Sequence, residues 1–176
     1  NAIVTDAMGN TYTTGYFYNT CDFDPGPGTF NMTAGYSSDA YMLKLSPSGG
    51  FIWAKQLNGG QDSGYGIAID GNGNVNVAGT FTNTIDLDPG AGIVSRTAEG
   101  YKDVFVVQLD ANGNYNWGVT FGGTSNDHAS SIAMDAYNNL YTTGYFKNTC
   151  DFDPGAGTNN LSAVGSYTDT YIQKLD

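Results

Sequence analysis

Residues 66–81 read Gly-Ile-Ala-Ile-Asp-Gly-Asn-Gly-Asn-Val-Asn-Val-Ala-Gly-Thr-Phe. Two short runs rich in β-branched residues flank Asp70-Gly71-Asn72-Gly73-Asn74. Such a cluster offers Asx turns and positive-φ positions, the chemistry of a hairpin. The pattern repeats downstream, where Val104 to Leu109 and Tyr115 to Phe121 are joined by Asp110-Ala111-Asn112-Gly113-Asn114. Val104-Phe105-Val106-Val107 is almost continuously apolar, as is its counterpart Ala40-Tyr41-Met42-Leu43, which predicts a strand covered on both faces. Gly or Asn interrupts every stretch that could carry a helical period. The reading is all-β, with four short strands from Gly66 to Phe121.

Working outward, the unit recurs. Residues 13–29, TTGYFYNTCDFDPGPGT, return at 142–158 as TTGYFKNTCDFDPGAGT, with 15 of 17 positions identical. A diverged middle copy runs from Ala78 to Gly90. Asp6, Asp70 and Asp135 mark one position in three units, a spacing of 64 and 65 residues. Units at 1–65, 66–130 and 131–176 follow, the last ending after its third strand, so the sequence holds about 2.75 units. Four antiparallel strands at this period suggest blades of a β-propeller, packed face to face. Propellers take four to eight blades, so this array is expected not to close a ring by itself.

The stretches GIAIDGNGNVNVAGTF, DVFVVQLDANGNYNWGVTFGG and NDHASSIAMD resemble the bacterial secreted β-propeller repeat often described as seven-bladed. The DFDPG-containing inserts are similar to those of Bacteroidota surface proteins. The resemblance covers the whole chain and implies a propeller fold in an extracellular or cell-surface setting. It brings no catalytic residues with it.

Composition narrows the partners. The 176 residues carry 17 acidic side chains (16 Asp and one Glu) against six Lys plus Arg, a net charge of −11. That balance disfavours nucleic acid and anionic membranes, which need clustered positive charge. No apolar run approaches the ~20 residues of a membrane helix, and no basic-then-apolar leader opens the sequence.

Every Asp falls on the repeat lattice, in the sets 6/70/135, 22/86/151, 24/88/153, 39/103/169, 62/127 and 110/176. Asp6, Asp70, Asp110 and Asp135 are expected to hold turn amides. Asp39, Asp103 and Asp169 precede the third strand and are expected to cap or orient it, with Asp62 and Asp127 in a similar part. In Asp22-Phe23-Asp24 strand alternation predicts an extended segment with both carboxylates on one face. The insert pairs Asp22/Asp24, Asp86/Asp88 and Asp151/Asp153 are the best metal candidates, because a bend at Pro-Gly could gather carboxylates and carbonyls into a calcium shell. The competing reading is a rigid polar loop whose Phe23, Leu87 or Phe152 plugs the core. Trp53 and Trp117 share a fourth-strand position and are expected to anchor packing between blades. Cys21 and Cys150 align with Ile85 and are expected to be buried. A disulfide between them is disfavoured by their separation, and bridging between chains stays open. Asn31 and Asn160 open equivalent glycosylation sequons. His128, the single histidine, is expected in a solvent-facing loop.

The favoured expectation is a non-catalytic extracellular structural or adhesive module. It would assemble head-to-tail with its own copies, as a filament for instance, or form part of a longer propeller chain. A carbohydrate-binding module with calcium-stabilised loops is the alternative. A glycosidase or lyase working in a propeller channel stands third, since it requires a non-repeated acid/base pair.

Overall fold

The computed structural model describes residues 1–165 and 167–175. Among them there is no helix, and the strands fall into three blades. Blade 1 is a meander of β1 (Ala2–Thr5), β2 (Thr11–Asp22), β3 (Asn31–Leu45) and β4 (Phe51–Gln56), hydrogen-bonded in that order. Blade 2 consists of β5 (Ser63–Ile69), β6 (Val75–Phe81), β9 (Asp103–Leu109) and β10 (Tyr115–Gly123), with the insert hairpin β7 (Thr84–Asp86) and β8 (Ser95–Thr97) between its second and third strands. Blade 3 has β11 (His128–Met134), β12 (Leu140–Lys147) and β15 (Thr168–Leu175), with its own insert hairpin β13 (Thr149–Asp151) and β14 (Asn160–Ser162). All pairings within the sheets are antiparallel. The three blades do not close into a ring.

The hairpin turns form as their composition dictates. Asp70 N–H bonds to Asn74 O, and the turn closes through Gly73, whose φ is +83°. A Cβ disfavours that conformation, which is why glycine stands there. The inserts contribute strands of their own. In blade 1 the insert extends β2 and β3, pairing Thr20 to Asp22 with Asn31 to Thr33. Each insert begins at an asparagine in the left-handed region, Asn19, Asn83 or Asn148, with φ of 55–61°. Asn tolerates that conformation better than most residues with a Cβ.

Two apolar layers hold the blades together. Tyr12, Met42 and Trp53 of blade 1 meet Ile67, Val77, Phe105 and Val107 of blade 2. Val104, Val106 and Phe121, from the opposite face of blade 2, meet Ile132, Phe146, Phe152 and Tyr171 of blade 3. Period-2 alternation therefore serves both neighbours of β9, with Val104 and Val106 on one side and Phe105 and Val107 on the other. Strand β6 is buried from end to end for the same reason.

The inserts add a clasp. β13 pairs backward onto β10, Gly122 with Asp151 and Gly123 with Cys150, so that the blade 3 insert extends the sheet of blade 2. Glycine is required at 123, where a Cβ would collide with the Thr149 carbonyl. In the preceding copy Asp86 N–H bonds to Asn58 O at 2.8 Å, tying the blade 2 insert to the end of blade 1.

Candidate functional site

The four turn aspartates act on backbone amides. Asp6 accepts from the N–H groups of Met8 and Asn10, both at 2.9 Å, and from the Tyr12 hydroxyl at 3.0 Å. Asp135 repeats the set with Tyr137, Asn139 and Tyr141. Asp70 and Asp110 accept from the amides two and four residues on. The donors favour the ionised form and hold Asp6, Asp110 and Asp135 below the usual carboxylate range, with Asn10, Asn114 and Asn139 as the leading causes. Asp176, the lattice partner of Asp110, lies outside the described residues.

The insert carboxylates turn inward on their own loops. Asp22 Oδ1 accepts from the amides of Asp24 and Phe30 at 3.0 and 2.8 Å, and Asp24 Oδ1 accepts from Gly26 at 2.8 Å. Asp86 serves Asp88 and Val94, while Asp151 serves Asp153 and Asn159. Asp88 and Asp153 each hold the amide two residues on. These amides lower the carboxyls of Asp22 and Asp151 as well, led by Phe30 and Asn159 respectively. A Cβ at Gly28, Gly92 or Gly157 would strike Oδ2 of Asp24, Asp88 or Asp153, so the motif needs its second glycine. No described group of three or more His, Cys, Asp or Glu side chains gathers in a metal-binding arrangement. The extended Asp-Phe-Asp geometry expected from alternation does not form, because β2 ends at Asp22 and the chain turns there. Leu87 and Phe152 sit buried between blades.

Other predicted residues lie as follows. Trp53 is buried in the blade 1–blade 2 layer and donates Nε1–H to Ala111 O at 3.2 Å. Trp117 is partly buried against the second layer. Asn31 and Asn160 are exposed at the starts of β3 and β14. Cys150 is buried and Cys21 half-buried, both as free thiols. His128 requires a correction. It opens strand β11 and lies half-buried between Tyr65, with centroids 4.4 Å apart, and Tyr145, stacked at 4.8 Å. A β-bulge between Ala129 and Ser131 lets both Ala129 and Ile132 enter the core, while His128 lies against the tyrosines instead of solvent. Burial lowers its proton affinity, with the Lys102 charge adding to the effect.

Four aspartates expected to be simple strand caps are buried instead. Asp39 and Asp62 are fully enclosed where the chain passes from blade 1 to blade 2, and Asp103 and Asp127 where it passes from blade 2 to blade 3. Burial pushes the Asp62 carboxyl up to about 8, with the Asp39 charge adding to it. Burial likewise raises Asp103 to about 6. A cavity of about 650 Å³ is lined by Gly59, Gly60, Gln61, Thr82, Asn83 and Thr84 and flanked by the exposed rings of Tyr36 and Tyr101.

The two outer faces of the array carry the same lattice as the inner ones. Ile3 is 70% exposed, whereas its counterparts Ile67 and Ile132 are 8% and 7% exposed. At the other end Ile172 is 82% exposed, against 0% for Met42 and Val106.

Comparison with known proteins fits this architecture. Residues 52–86 match the model of a β-propeller repeat family. An uncharacterized WD repeat-containing protein of Acanthamoeba polyphaga mimivirus is 29% identical over 131 residues, which is 66% of this chain and 9% of that protein. The regulatory protein FlaEY of Caulobacter vibrioides is 27% identical over 135 residues, 76% of this chain and 14% of its own length. The chain thus spans a small part of the curated relatives it matches. Internal repeat, blade topology and matched segment agree on a fold of β-propeller-like blades.

Proposed function

We propose that the chain is a non-catalytic structural or adhesive module of an extracellular or cell-surface assembly, whose two end faces each take a further blade. The blade comes head-to-tail from a second copy, extending the stack toward a ring or filament, or from more of the same polypeptide. The exposure of Ile3 and Ile172 at positions buried in every covered blade is the observation that carries this reading. Burying one such side chain contributes about 1.5–3 kcal/mol, and unpaired strand edges favour the same contact. The repetition of every aspartate on the lattice supports a scaffold role, since an active site is singular. High acidity and the scarcity of Lys and Arg support a secreted setting. Sedimentation velocity over a dilution series tests the reading. Association that weakens at least about tenfold in Ile172→Asp, a loss of ~1.4 kcal/mol, supports it. A single monomeric species at every concentration contradicts docking between copies.

Glycan binding is the second reading, favoured by the cavity between the exposed rings of Tyr36 and Tyr101, with Gln61 and Asn83 supplying polar groups. Aromatic faces beside a few polar groups suit sugar rings. Calcium at the Asp22/Asp24, Asp86/Asp88 and Asp151/Asp153 inserts belongs to this reading. Glycan-array signal lost in Tyr101→Ala and on chelation favours it over the scaffold reading.

A further inference from the structure

The two junctions between blades place the same carboxylate pair in different chemical conditions. At the second, Asp127 accepts amides from Gly123 at 2.7 Å and Lys147 at 3.2 Å, and Asp103 Oδ2 accepts Glu99 N–H at 2.9 Å, which leaves Asp103 Oδ1 as the one bare oxygen of that pair. At the first, Asp62 is fully buried and neither of its oxygens has a hydrogen-bond partner. The Thr82 amide, counterpart of Lys147, approaches without closing a bond of normal geometry. Asp39 is equally buried. Its Oδ2 accepts from Gly35 N–H and Gln56 Nε2, and its Oδ1 is bare. Three unpartnered carboxylate oxygens therefore share one enclosed place, a condition that buried anions do not sustain without a counter-charge.

Main-chain oxygens stand beside them. A Cβ on Gly59 would collide with Asp62 Oδ2 and lie 2.8 Å from Thr84 O. A Cβ on Gly35 would lie 3.9–4.0 Å from both Asp39 oxygens and 4.0 Å from Gly59 O. The lack of a side chain at Gly59 lets the Asp62 carboxylate and the Thr84 carbonyl approach the same point. Gly59 and Thr84 also line the neighbouring cavity. All the donors are hard oxygens, with no thiolate or imidazole among them, a set that selects calcium-class ions over zinc or copper.

We propose that Asp39 and Asp62, assisted by the carbonyls of Gly59 and Thr84, bind a calcium-class divalent cation at the blade 1–blade 2 junction. The site is separate from the insert aspartates and independent of what docks on the end faces. Two carboxylates place the affinity among the weak extracellular modules, with Kd of about 0.1–1 mM. Calorimetric titration of the chelator-treated chain with calcium chloride tests it. The expected result is saturable binding in that range and a higher melting temperature. Binding should fall at least about tenfold in Asp62→Asn and in Asp39→Asn, as expected for loss of a charged ligand, and should persist in Asp103→Asn and Asp22→Asn. Binding that survives in Asp62→Asn but disappears in Asp22→Asn assigns the ion to the inserts and overturns the proposal. So does a wild-type chain with neither heat nor melting shift at about ten times the expected Kd, a result that needs no variant to fold. In that event a proton, not a metal, satisfies the pair.

Discussion

Phe152 and Phe23 occupy the same place in two inserts of nearly identical sequence, yet their surroundings differ. Phe152 is buried, with ring centroids 5.2 Å from Phe146 and 5.0 Å from Tyr171 in its own blade and 5.7 Å from Phe121 in blade 2. Phe23 keeps the equivalent partners within its blade, Phe17 and Tyr41, each at 5.0 Å, but has no preceding blade against it and stays half-buried. With the sequence almost constant, the change in burial comes from the neighbour. In this molecule the burial of an insert ring follows the blade packed against it.

The largest expected effect tests that comparison directly. Phe152→Ala should cost about 3–5 kcal/mol in urea unfolding, the usual range for a buried ring. Phe23→Ala should cost no more than about half as much, because part of its ring is already in water. Equal costs would break the comparison. If association covers the blade 1 face, raising protein concentration should bring the Phe23→Ala cost toward that of Phe152→Ala.

A smaller effect separates buried from exposed carboxylates by pH. Asp103 is raised to about 6 by burial, so the folded state holds its proton more tightly than the unfolded chain does. Its favourable contribution is complete below the ordinary carboxylate value near 4 and is lost as pH rises to about 6. The turn aspartates Asp6, Asp110 and Asp135 are lowered. They contribute above that ordinary value, and the contribution is lost as pH falls through their folded values. Melting curves in chelator should therefore show Asp103→Asn raising Tm at pH 7 by about 2–4 °C, equivalent to ~1 kcal/mol in a chain of this size. The gain should vanish near pH 4. A constant gain at both pH values would remove burial of the charge as its cause.

The smallest effect concerns the middle turns. Blade 1 joins its last two strands through Ser46, whose Oγ accepts Gly50 N–H at 2.9 Å, where blade 2 uses Asp110 and takes two amides. Ser46→Asp should raise Tm by about 1–2 °C, the scale of a few tenths of a kcal/mol. No change would mean that the second amide adds nothing to the turn.

The strand order and hairpin turns were legible because short-range chemistry decides them. Asp-Gly-Asn-Gly-Asn between β5 and β6 can do little but turn, and the apolar run in β9 requires cover on both sides. The inserts were less legible. Asp22-Phe23-Asp24 reads as extended by alternation, but Pro25 and the following glycines let both carboxylates fold back on loop amides. The pairing of β13 on β10 depends on contact between residues about 28 apart, which no local pattern announces. His128 was misread because its stacking partners, Tyr65 and Tyr145, come from two other strands. The burial of Asp39, Asp62, Asp103 and Asp127 was missed because a lattice aspartate before a strand looks like a cap until the neighbouring blade is in place.

The central claim is that the two end faces are complementary halves of one interface. The most direct measurement mixes two variants, Ile3→Asp, which blocks one face, and Ile172→Asp, which blocks the other, and follows their sedimentation separately and together. Head-to-tail docking predicts that each variant alone is monomeric while the mixture forms a heterodimer that grows no further. A mixture that stays monomeric, or variants that pair with themselves, would contradict the account.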